Sequence, residues 1–177
     1  MSGSLPEGFT RTDTESVDEN VFRLIDRDWM LVTAGTQKTG LNTMTASWGA
    51  LGELWSRRVA FAFVRPQRHT YRFMEENGLF TLSFFPEDMR DILKYCGSHS
   101  GRDVDKLAET GLVPFEAADG ATGFEQARMV MVCRKLYTQD IDPNRFLDPS
   151  IDELYPEKGY HRMYVGEVVS VLRRSRT

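Results

Sequence analysis

Five arginines lie between Trp55 and Met74 (Arg57, Arg58, Arg65, Arg68 and Arg72), and that span holds no acidic residue. The whole chain of 177 residues carries a formal net charge of −4. A local positive region on an acidic protein suits a small anionic ligand, and the net negative charge argues against general nucleic-acid binding. Arg65, Arg68 and Thr70 fall within six residues, just after the apolar run Val59 to Val64. Guanidinium forks and a threonine hydroxyl suit a phosphate, which takes charge-assisted and often bidentate hydrogen bonds. A strand-to-helix junction at that point adds helix N-terminal amides. Arg57, Arg58 and Arg72 read as solvated residues, as does the basic tail Arg173, Arg174 and Arg176.

Upstream stands Asn42-Thr-Met-Thr-Ala-Ser-Trp-Gly49. As a strand it places Thr43, Thr45 and Ser47 on one face and Asn42, Met44, Ala46 and Trp48 on the other. Ala46 and Ser47 are small enough for a flat ring to approach the backbone, Trp48 could wall the slot, and main-chain amides could meet a polar ring edge. These residues fit any phosphate-bearing aromatic cofactor. The three histidines (His69, His99, His161) lack metal-ligand spacing, so no metal site is expected. No GxGxxG follows a strand. Cys96 and Cys133 stand far apart and read as two partly buried thiols rather than a disulfide framework.

An apolar fraction of 41% and a charged fraction of 27% are those of a soluble globular domain. No run reaches the roughly 20 apolar residues of a membrane helix. The N-terminus is polar and acidic, with no basic-then-apolar leader, so the cytoplasm is the default location. Residues 1–17 read as a flexible arm and 18–177 as one domain. Within it, Val17 to Asp28 reads as a short helix. Trp29 to Gly35 and Leu41 to Trp48 read as strands around a turn, and Gly49 to Arg58 as a loop. Val59 to Val64, apolar on both faces, reads as a central strand. Thr70 to Asn77 is a helix capped by Gly78, and Leu79 to Phe85 a strand. A helix follows Pro86 and ends at Gly97; Arg102 to Thr110 is a second short helix. Gly123 to Tyr137 reads as one long strand, and Tyr160 to Leu172 as the last. Between them, Gln139 to Lys158 is an excursion with three prolines, whose Phe146, Leu147, Ile151, Leu154 and Tyr155 need a surface to bury against. Six or seven strands without regular crossover helices favour a mainly β fold, a β-barrel with helical excursions.

Four separated stretches carry a family resemblance: Asn42 to Gly49, Val64-Arg-Pro-Gln-Arg-His-Thr-Tyr71, Ser100-Gly-Arg-Asp-Val-Asp-Lys106 and Tyr160-His-Arg-Met-Tyr-Val-Gly-Glu-Val168. Together they closely resemble the flavin reductase-like family, especially its flavoredoxin-type branch, over about Phe22 to Val171. That resemblance implies an FMN-binding split β-barrel and a homodimer with flavin near the subunit interface. It implies that Asn42, Thr43, Thr45, Ala46, Ser47 and Trp48 line the flavin, that Arg65, Arg68 and Thr70 hold its phosphate, and that Ser98, Ser100 and Lys106 add contacts. Phe84 and Phe85 would pack the barrel. His161 matches a histidine near the nicotinamide side of the flavin, but relatives usually have Asp before it where this chain has Tyr160. The implied activity is an FMN-dependent oxidoreductase, with NADH or NADPH as donor and a free flavin, a protein or another molecule as acceptor. The alternative is an FMN-binding electron carrier or flavin-storage protein without its own nicotinamide site. A barrel without redox function is a third reading, which the Arg65, Arg68 and Thr70 cluster counts against.

Overall fold

The structure, a computed structural model, describes residues 5–175. Ten strands are present among them: β1 (Phe9–Thr12), β2 (Met30–Thr36), β3 (Gly40–Ala46), β4 (Gly49–Leu54), β5 (Arg57–Val64), β6 (Leu79–Phe84), β7 (Pro114–Ala118), β8 (Ala121–Phe124), β9 (Met129–Asp140) and β10 (Arg162–Arg174). Seven of them form an antiparallel path in the order β3-β2-β6-β9-β10-β5-β4, with β1 added alongside β10; β7 and β8 make a separate pair. β3 and β4 are the two ends of this path, yet only Ser47 and Trp48 separate them in the chain. The sheet therefore rolls up until its ends meet at that dipeptide, a barrel with a seam.

Side-chain alternation explains the two cores. Met30, Val32, Ala34, Met129, Met131 and Cys133 point into the barrel with Phe80, Leu82, Phe84 and Tyr164. Their neighbours Leu31, Val130 and Val132 point outward, where α3 (Arg90–Ser98) and the β7–β8 pair cover them. The central strands are buried on both faces, which is why they read as continuous apolar runs. α1 (Val21–Arg23), α2 (His69–Glu76) and α4 (Lys106–Thr110) complete the chain. No helix of the described residues is long and apolar enough to cross a membrane.

Several local expectations are corrected. The 49–58 stretch is a hairpin, not a loop: β4 pairs with β5 from Gly49↔Ala62 to Leu54↔Arg57. Its two-residue turn is Trp55-Ser56, both at φ 55°. Hairpin turns of that hand usually carry Asn-Gly, so the signal was hidden. The Gly123–Tyr137 strand is broken by a turn in which Ala127 N–H donates to Phe124 O, splitting β8 from β9. The expected helix from Val17 begins at Val21, capped by Asn20, and becomes a π-helical turn over Leu24–Asp28. The later helix starts at Lys106 because Asp105 caps it. α3 runs past Gly97 to Ser98. α2 closes through Asn77 Nδ2 on Phe73 O rather than at Gly78.

The N-terminal arm is also partly structured. Phe9–Thr12 pairs with β10, because Phe9 buries its ring 5.2 Å from that of Phe115 and Arg11 Nη1 donates to Ser170 Oγ at 2.6 Å. Residues 1–4 of that arm and Arg176 of the basic tail lie outside the described residues. Arg173 is not solvated: it pairs with Glu19 at 2.5 Å, and Glu19 also holds Arg128 at 3.0 Å. Arg57 and Arg58 pair with Glu167 and Glu53, and Arg72 with Glu76, on the surface.

Candidate functional site

Two cavities adjoin at the seam, and Arg68 lines both. The first, about 190 Å³, is bounded by Met44 to Trp48 at the end of β3, Phe63 on β5, Arg65, and His161 just before β10. The second, about 120 Å³, is polar; Asn42, His69, Thr70, Ser98, Ser100, Gly101 and Lys106 line it. The first is apolar on its walls and hydrogen-bonding at its rim, and the second is a nest of donors. The two cavities cut across the two halves expected from the sequence: Arg65 lines the first beside Ala46 to Trp48, and Asn42 lines the second beside Thr70.

The polar pocket is built by three chain segments. β5 ends at Val64, two residues before Pro66, which lacks a ladder donor, and the chain turns into α2 with Arg68 as its N-cap. Of the first-turn amides of α2, Tyr71 N–H donates to Arg68 O at 3.0 Å, and the helix start brings positive potential to the pocket. Arg68 is held in place by the C-terminal end of α3: Nη1 donates to Gly97 O at 2.9 Å and Nη2 to Cys96 O at 3.5 Å. Burial, with Arg65 nearby, lowers its pKa from the ordinary guanidinium value. Asn42 Nδ2 donates to Thr70 Oγ1 at 2.7 Å, tying β3 to α2. Gly101 permits this closeness, since a Cβ there would stand 2.0 Å from Asn42 Oδ1.

Lys106 forms the floor. It is 4% exposed, and its Nζ donates to Thr43 O and Cys96 O, each at 2.8 Å. Burial lowers its pKa to about 8, with Arg68 adding to the effect and Cys96 opposing it. Two of the three ammonium N–H groups are thereby engaged, and one remains.

The sequence-predicted residues divide as follows. Thr45, Ala46, Ser47, Trp48, Arg68 and His161 meet at the ring slot, and Asn42, Thr70, Ser98, Ser100 and Lys106 at the polar pocket with Arg68. Thr43 lines neither cavity: its hydroxyl is buried 2.8 Å from Thr33 Oγ1, and only its carbonyl reaches the site, through Lys106. Thr45 Oγ1 also turns from the slot to donate to Leu93 O on α3. The supposed hydroxylated face of β3 is thus a helix-packing face. Arg65 lies in the ring slot rather than the polar pocket; its Nη2 donates to Leu154 O at 3.1 Å and its guanidinium covers the Tyr155 ring at 5.1 Å. Ser98 Oγ is taken up by Lys94 O at the end of α3.

Sequence reasoning missed Phe63, His69, Gly101 and Tyr155. Tyr155 comes from the 139–158 excursion, and its hydroxyl lies 2.8 Å from His161 Nδ1, while the imidazole centroid sits 5.0 Å from that of Trp48. Burial, reinforced by Arg65, lowers the His161 pKa to about 4, so this imidazole is neutral at physiological pH. The excursion does find a surface for Tyr155 and Phe146, whose rings pack together and against Tyr160, whereas Leu147, Ile151 and Leu154 stay exposed.

The fold is shared with solved structures of low sequence identity. A FMN-binding domain of a flavin reductases-like enzyme from Shewanella baltica OS155 superposes with a TM-score of 0.68 at 15% identity, over 97% of this chain and 80% of that one. Flavoredoxin of Desulfovibrio vulgaris (Miyazaki F) matches with a TM-score of 0.64 at 21% identity, over 84% and 69%. The NADH:FAD oxidoreductase of Streptomyces globisporus C-1027 matches with a TM-score of 0.63 at 17% identity, over 82% and 75%. No curated protein is detectably similar in sequence. The sequence profile of the Flavin reductase like domain matches residues 22–177, nearly the whole chain, and the chain belongs to that family.

Proposed function

We propose that this chain binds FMN and acts as an oxidoreductase of the flavin reductase kind, taking electrons from NADH or NADPH and passing them to a free flavin or another acceptor. The observation that carries this reading is the pair of adjoining cavities joined at Arg68, one walled by aromatic and small residues and the other lined by cationic and hydroxyl donors. The donor set suits a phosphate: a guanidinium fork, an ammonium, hydroxyls and the N-terminal amides of α2. The slot beside it, between Ala46, Trp48 and Phe63, suits one planar ring system. When bound, FMN supplies the hydride and electron transfer.

The chain's own residues bind and orient. Arg68 and Lys106, each already held by carbonyls at the end of α3, present their remaining N–H groups without reorganising. Asn42 fixes Thr70. Trp48 and Phe63 exclude water from two sides of the slot. His161, neutral and buried, offers hydrogen bonding without charge. No side chain has to act as a nucleophile. The test is stopped-flow reduction with each nicotinamide, read from the flavin absorbance; a protein that takes up no FMN overturns the reading.

A second reading is an FMN-binding electron carrier of the flavoredoxin kind, without its own nicotinamide site. Rapid reduction by a protein donor with no response to either nicotinamide would select it. Both readings include a homodimer, supported by the exposed apolar side chains Trp55, Leu147 and Leu154.

A further inference from the structure

His161 lines the ring slot with Nδ1 turned away, 2.8 Å from the Tyr155 hydroxyl. Both residues are buried, Tyr155 to 2% exposure and His161 to 9%. Among the described residues, the Tyr155 hydroxyl has no other hydrogen-bond partner, and neither has His161 Nε2. A buried phenol proton needs an acceptor, and Nδ1 is the one within reach. With the phenol as donor, Nδ1 would be the unprotonated nitrogen and the imidazole proton would stand on Nε2.

Tyr155 is itself held firmly. The Arg65 guanidinium covers one ring face at 5.1 Å, Phe146 stacks at 6.3 Å and Tyr160 lies 4.9 Å away. Arg65 also donates to the neighbouring Leu154 carbonyl. The charged group near the imidazole is Arg65; the rings packed on it are Trp48, Phe63 and Tyr155. No carboxylate is among these neighbours to draw a second proton onto the ring.

We propose that Tyr155 is a positioning residue: its hydroxyl locks His161 in the Nε2–H tautomer, so that Nε2–H donates a hydrogen bond to a carbonyl oxygen of the ligand seated in the ring slot. The identity of that ligand rests on the FMN reading; the tautomer does not. The excursion from 139 to 158 thereby reaches His161 through the Tyr155 hydroxyl, besides holding Arg65.

The test is nitrogen–proton correlation NMR of the imidazoles in the FMN-free full chain, with His161→Asn assigning the signal. The wild type is expected to show the Nε2–H form alone. Tyr155→Phe keeps the packed ring and removes the hydroxyl, and a mixture of both tautomers is expected. FMN affinity then falls by the factor by which the Nε2–H population has fallen, no more than about twofold. In the wild type, saturating FMN is expected to shift the Nε2 resonance. An Nδ1–H tautomer in the wild type, or an unaltered Nε2–H population in Tyr155→Phe, overturns the proposal. FMN that binds while leaving Nε2 unmoved overturns the donor role. A chain that binds no FMN but holds the Nε2–H form refutes the FMN reading and supports the role of Tyr155.

Discussion

Arg68→Ala separates the two tasks that one guanidinium performs. A guanidinium has five N–H donors. Two of them go to Gly97 O at 2.9 Å and Cys96 O at 3.5 Å, which leaves three for the cavities on either side. Truncation costs stability first: one good hydrogen bond to the end of α3 is worth about 1 kcal/mol net, and in a chain of this size that lowers Tm by about 2–4 °C. It costs binding separately. A charge-assisted hydrogen bond to a phosphate is worth about 1.5–3 kcal/mol, so FMN affinity should fall about 10–150-fold. Arg68→Lys keeps the charge but loses the fork, and an intermediate loss is expected. The assay is quenching of FMN fluorescence on titration with protein, alongside a thermal melt of each variant. If Arg68→Ala is folded and binds FMN within about twofold of wild type, the junction of the two cavities is not where the phosphate lies.

Gly166→Ala tests packing away from the site. The added Cβ would stand 2.7 Å from the Phe80 ring and 2.9 Å from Cys133 Cβ, at a register shift in β10. Overpacking of this kind costs about 1–3 kcal/mol, or about 2–12 °C in Tm, and an unchanged melt would contradict the packing. Lys106 sets a pH dependence. Burial holds its pKa at about 8, so the ammonium is present below that pH and lost above it. FMN affinity should therefore decline as pH rises through about 8, and Lys106→Met should remove that step; a wild-type profile flat across the range counts against Lys106 as a ligand. Sedimentation at micromolar concentration should show a homodimer, and a monomer there removes the dimer from the proposal.

Much of the fold was legible because the strands announce themselves physically. Met129 to Cys133 of β9 are buried on both faces, and Val59 to Val64 of β5 are largely so, and continuous apolar runs follow from that. The hairpin at Trp55-Ser56 was not legible, since a mirror-image turn made without glycine leaves no local mark. β1 was hidden for another reason: four residues of ordinary composition pair only because Phe9 finds the Phe115 ring across a long sequence separation. In the site, Arg68, Thr70 and Lys106 were readable from their chemistry and motifs. Arg65 was expected beside Arg68 and Thr70, but proximity in sequence says nothing about which way a side chain leaves a turn. Here Leu154 O and the Tyr155 ring draw it into the ring slot. Tyr155 was expected to find a surface to bury against, but nothing in its proline- and acid-rich stretch says that the surface is His161.

A sheet that does not close on itself has two raw edges, and raw edges recruit foreign strands. β3 is one such edge, and two side chains that line the polar pocket attend to it: Lys106 Nζ caps Thr43 O, while Asn42 fastens the strand to α2. The proposed ligand contacts thus also cover part of an open strand edge. Substitutions chosen to weaken the site have to be judged for solubility as well as affinity. A designer seeking a more soluble variant of this barrel would leave Lys106 untouched before altering any surface charge.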